Sequence, residues 1–186
     1  MIKRIRNIII LVFLINLILT IGVVATSDLD SVISNAPSQK DYPQAGAIIL
    51  KDKTVADYTQ PITEIYDHSI IKVFNKRGIN QFGEFKIRFN KSSEEIKIIE
   101  AKTVNPSGET VKVKKEDIKE ITPPEANNNI YSDARIKVIT MPALEAGSII
   151  ICKYKKTIKE FPIKDQFWYS ELFQFSKPIK KSKLVV

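Results

Sequence analysis

The stretch FGEFKIRFN, Phe82 to Asn90, places Phe85, Ile87 and Phe89 on one side of an extended chain and Glu84, Lys86 and Arg88 on the other. Successive side chains of a strand point to opposite faces, so a period of two predicts a strand with one face buried and one in water. Upstream, ITEIYDHSIIKVF (62–74) is long and rich in β-branched and aromatic residues, and it runs into the turn signal Asn75-Lys76-Arg77-Gly78. The two segments are expected to pair as a hairpin. Downstream, EEIKIIEAKTV (94–104) meets Asn105-Pro106-Ser107-Gly108 and then ETVKVK. Pro106 can preset that turn and Gly108 tolerates its exit, so a second hairpin is expected there.

The same pattern continues to the C-terminus. ARIKVITM, SIIICKYKKTI, QFWYSELFQF and KKSKLVV each read as strands, divided by Pro, Gly or charged turns. Between them EDIKEITPPEANNNIYSD (116–133) carries Pro123-Pro124 and three consecutive Asn, which predict a long surface loop. Only Lys115–Ile121 and the polar stretch Thr26–Lys40 invite a short helix. About eight or nine strands with almost no helix predict an all-β fold, an antiparallel β-sandwich. The terminal LVV should pair with a neighbour in it.

The chain of 186 residues, 44% of them hydrophobic, can bury one sizeable core. At its front, Lys3, Arg4 and Arg6 precede an apolar run from Ile8 to the small-residue ending at Ala25. This is the pattern of a secretory signal cleaved after Ala25, and an uncleaved membrane anchor is the alternative. The expected organisation is a signal or anchor over 1–25, a polar linker over 26–41 and a sandwich over 42–186. Export to a periplasmic or extracellular site follows, with the membrane met only through the N-terminal segment.

The net charge of +8 falls to +5 without the three leader cations, and the remaining lysines alternate with Glu and Asp. That pattern describes solvated strand faces and gives no reason to expect nucleic-acid binding.

In order, GAIILKD, IKVFNKRG, EAKTVNPSGETVKV, YSDARIKVITMPALEAGSIIICKYKK and FQFSKPIKKSKLVV resemble the uncharacterised all-β domain that precedes transglutaminase-like domains in exported bacterial proteins. The resemblance covers Tyr42–Val186. Its most specific pieces are the A-x-x-x-x-P-x-G turn at Ala101–Gly108 and the D-x-R, P and G-S positions between Asp133 and Ser148. It implies a noncatalytic accessory role, with a downstream transglutaminase-like domain of a longer chain as the partner. In such domains a Cys, a His and an Asp, in that order, carry acyl transfer or amide hydrolysis. A free-standing envelope module that binds peptide, glycan or an anionic surface is the competing reading. It would use the loops Pro123–Asp133 and Met141–Gly147, with Tyr131, Asp133 and Arg135 as the candidate binding surface.

The residues themselves offer little catalytic chemistry. Cys152 is the single cysteine and follows three isoleucines on an expected strand, where apolar burial would raise its pKa. The single histidine, His68, precedes it, reversing the order that the resemblance would require. One Cys and one His cannot supply a zinc set without carboxylates that no local spacing brings, and no glycine-rich phosphate loop occurs. No cofactor and no metal are expected. Arg135 should pair with Asp133 or a nearby backbone carbonyl, and adjacent Trp168 and Tyr169 should face opposite ways.

Overall fold

The computed structural model describes residues 28–58, 62–123, 133–160, 169–170, 173 and 176–186. The leader, residues 124–132 of the Asn-rich loop and seven of the ten residues of QFWYSELFQF lie outside them, and so do the expectations for Tyr131 and Trp168. The chain divides into two units, residues 1–35 and 36–186. In the first, helix α1 spans Asp28–Ser34.

The second unit is all-β. Its strands are β1 (Ala47–Asp57), β2 (Thr63–Val73), β3 (Glu84–Asn90), β4 (Glu94–Val104), β5 (Thr110–Lys112), β6 (Ile118–Ile121), β7 (Ala134–Thr140), β8 (Ile149–Ile158) and β9 (Ser182–Val185). Six form one sheet in the order β5-β4-β8-β2-β1-β9, and three form a second in the order β3-β7-β6. Ile87 and Phe89 of the small sheet, with Ile139 and Met141, join Ile49, Ile71, Ile96, Ile150 and Cys152 of the large one in a single core. Burying an Ile or Phe fully contributes about 1.5–3 kcal/mol. The alternation in FGEFKIRFN therefore serves the sandwich as expected, with Ile87 and Phe89 inward.

The expected hairpin between 62–74 and 82–90 does not form. β2 pairs with β1 and β8, whereas β3 pairs with β7 in the other sheet. Between them lies helix α2 (Lys76–Phe82), started by Asn75, whose side chain accepts hydrogen bonds from the backbone N–H of Arg77 and Gly78. An Asn that opens a turn and an Asn that caps a helix are the same local signal, and the chain uses the second to cross between sheets. Gly78 is required by contact: a Cβ there would sit 2.0 Å from the carbonyl oxygen of Gly46.

The NPSG hairpin forms as expected, β4 pairing antiparallel with β5 over Lys102–Val104. Gly108 and Gly147 take φ of +89° and +94°, the left-handed conformation that glycine adopts without strain. Two further expectations need correction. The segment read as helix or loop at 115–121 is a 3₁₀ turn, Lys115–Asp117, followed by β6. The sandwich is also not purely antiparallel, because β9 runs parallel to β1 from Asp52↔Ser182 to Val55↔Val185. Side chains alternate in the same way in parallel and antiparallel strands, so the pattern carries no information about strand direction. The terminal LVV does find its neighbour, on the β1 edge.

Candidate functional site

β8 is paired along its whole length, to β2 on one side and to β4 on the other. Cys152 therefore sits at the centre of the large sheet, opposite Ser69 on β2 and Ala101 on β4, and is 1% exposed. Its thiol is pushed up to about 12, first by burial and then by the charge of Asp67. Ile150 and Tyr154 share its face toward the small sheet, and Ile149 and Ile151 are buried on the other. His68 is opposite Lys153, one position out of step with the Ser69–Cys152 pair, so it lies on the far face of the same sheet. Strand geometry thus keeps the cysteine and the histidine apart.

The inward face of the large sheet carries a polar group that the sequence did not announce. Thr54 Oγ1 donates to Asp67 Oδ1 at 2.8 Å, and Ser69 Oγ donates to Asp52 Oδ1 at 3.0 Å. Tyr154 is hydrogen-bonded to Asp67, and its phenol is pushed upward by burial first and then by the Asp67 charge. Phe85 of the small sheet meets the Tyr154 ring edge-on, with centroids 6.5 Å apart. A carboxylate beside a buried thiol and phenol disfavours ionisation of both, the opposite of what activates a nucleophile. The group braces three adjacent strands. One signal was present in the sequence: Asp67 and Ser69 fall in step with Ile65 and Ile71, on the face that should be apolar.

On the outward face, Glu100 is held between Lys102 at 2.6 Å and Lys153 at 2.7 Å. Those two hydrogen bonds, Lys102 first, hold its carboxyl down to about 2. Glu64 accepts from Lys155 and from Tyr66, which lowers its carboxyl and raises both partners.

Of the three predicted binding-surface residues, Asp133 is exposed and its backbone carbonyl accepts from the Lys91 N–H. Arg135 is half-buried on β7 and donates to the carbonyl of Ala134 at 2.7 Å, the backbone alternative allowed for it. The third, Tyr131, is outside the described residues. Among the described residues no three or more His, Cys, Asp or Glu cluster in a way that would hold a metal, and no helix is long and apolar enough to cross a membrane.

Two facing sheets of six and three strands, with the single thiol sealed between them, define an all-β sandwich module. The chain belongs to the family described as a domain of unknown function with a solved structure, DUF3857, which matches residues 63–186. No curated protein matches it in sequence. The crystal structure of a candidate protease from Parabacteroides distasonis ATCC 8503 superposes with a TM-score of 0.65 at 21% identity, over 75% of this chain and 28% of that one. This chain thus spans less than a third of that protein, and the likeness is one of fold. The CBM3a-L domain with flanking linkers from scaffoldin cipA of the Clostridium thermocellum cellulosome aligns at 10% identity over 67% of this chain and 71% of that one. Its TM-score of 0.36 carries no argument.

Proposed function

We propose that residues 42–186 form a noncatalytic accessory module of an exported transglutaminase-like protein, which positions a substrate or the partner domain while cysteine chemistry is carried elsewhere in a longer chain. Membership of the family and a fold shared with part of a larger candidate protease support an accessory role. The observation that carries the reading is the placement of Cys152. Its thiol is sealed in the core and pushed up to about 12, while His68 faces the other way across the sheet. A thiol so placed is a packing residue, and chemistry that needs a thiolate must be supplied by other residues.

The first test reads the coding sequence past Val186 for a domain with Cys, His and Asp in that order. The second compares the full gene product with a version lacking residues 42–186, on a small amide and on a folded protein substrate. The expected result is an unchanged kcat/KM for the small amide and a loss of about tenfold or more for the protein, the pattern of lost remote binding. Equal loss on both substrates, or loss of activity in Cys152→Ser, would overturn the reading.

A further inference from the structure

Among the described residues, part of strand β4 in the large sheet has a neighbour on one side only. β5 covers β4 only over Lys102–Val104, and one further hydrogen bond, from the Val113 N–H to the Ala101 carbonyl, extends the cover. Along Glu94–Glu100 no described strand lies on that side of β4. Lys137 from the small sheet donates to the Ile96 carbonyl at 3.1 Å, which limits the open stretch to the residues beyond it. Within that stretch the register shifts between Ile98 and Glu100, and Ile99 is turned out, 53% exposed.

A groove of about 580 Å³ runs along this edge, where the chain crosses from β5 to β6. Ile98, Val113 and Ile118, all packed against the core, give it an apolar floor. Lys112, Lys114, Lys115 and Lys153 surround that floor, against one lining carboxylate, Glu100. Glu100 is already shared between Lys102 and Lys153. Nearby, Glu116 reaches Lys114 at only 3.8 Å, with both side chains mostly exposed. The lining is therefore positive, apolar at its base and flanked by a strand edge that no described strand pairs.

We propose that this groove docks an extended acidic peptide, which adds as a strand to the uncovered stretch of β4. Main-chain hydrogen bonds to a free edge supply affinity in this mode, and alternate side chains supply specificity. Residues 97–100 offer about 14 Å of edge, enough to pair about four residues of the peptide. Its apolar side chains would alternate inward onto Ile98, Val113 and Ile118, and its carboxylates outward to Lys112, Lys114 and Lys115. The inference goes beyond the accessory role, because the groove has the same chemistry whether or not a catalytic domain is attached.

The test is fluorescence polarisation with the full chain in mild detergent and a labelled octapeptide of alternating Glu and Val. Binding is expected to weaken about tenfold in the exposed-site double variant Lys114→Glu/Lys115→Glu, and to weaken with added salt. Folding of that variant is checked by circular dichroism. A peptide N-methylated at every residue keeps every side chain but loses its backbone donors on both edges, and it should fail to bind. No binding of the Glu/Val peptide at millimolar concentration would overturn the proposal. So would equal binding of a Lys/Val peptide, full-strength binding of the N-methylated peptide, or binding to anionic vesicles alone. None of these outcomes depends on amidase activity, so failure here and failure of the accessory reading are separable.

Discussion

Replacing Glu100 by Gln should lower stability and raise affinity for an acidic peptide at the same time. The carboxylate is 2.6 Å from Lys102 and 2.7 Å from Lys153, and its pKa is held at about 2 instead of 4.5. At about 1.36 kcal/mol per unit, this depression sets a ceiling of roughly 3 kcal/mol at neutral pH. The side chains of Glu100 and Lys153 are 28% and 34% exposed, so water takes much of that away, and about 1–2 kcal/mol is the expected loss. The direction with pH is fixed. A lowered folded pKa contributes fully above the unfolded value of about 4.5 and fades as pH falls toward 2. Urea unfolding at pH 7 should therefore separate parent and Glu100→Gln by that amount, and the gap should have shrunk by more than half at pH 3.5. In the same variant, the Glu/Val octapeptide should bind a few-fold tighter at pH 7, because the groove has lost its one lining carboxylate. A gap that stays constant from pH 7 to 3.5 would refute the electrostatic account of Glu100. Weaker peptide binding would refute the sign assigned to the groove.

Two further outcomes follow from buried groups. Cys152 in the folded chain should react with a thiol reagent at pH 8 at least about a thousandfold more slowly than after denaturation, since a pKa near 12 leaves almost no thiolate; comparable rates would place it at a surface. Thr103 is fully buried and its Oγ1 has no hydrogen-bond partner, so Thr103→Val should stabilise by about 1–2 kcal/mol, whereas Thr103→Ser should destabilise by about 1 kcal/mol. The two melting temperatures relative to the parent check this, and a destabilised Thr103→Val would show that the hydroxyl is satisfied.

Strand content and facing were legible residue by residue. Phe85, Ile87 and Phe89 in one short segment, and Ile150, Cys152 and Tyr154 in another, announce their shared faces because side-chain alternation is a local property of an extended backbone. Turn chemistry was equally local at Gly108 and Gly147, where a positive φ is needed. From the same residues came the placement of Cys152 as a core residue.

Beyond the β4–β5 hairpin, which strand lies beside which was not legible. Asn75 could begin a turn or cap a helix, and only packing against Gly46 and the separate small sheet selects the helix. β9 runs parallel to β1, a direction that leaves no mark on alternation. The meeting of Thr54, Asp67 and Tyr154 is set by strand register, as is the separation of His68 from Cys152. The lysine-rimmed groove joins β4, β5, β6 and β8, segments that are unremarkable one at a time. The sequence by itself determined that the chain makes strands and which side chains turn inward, since backbone sterics and hydrophobic period act over neighbouring residues. Outside the β4–β5 hairpin, tertiary structure decided the partners, the directions and the open edge, because those depend on pairing between residues tens of positions apart.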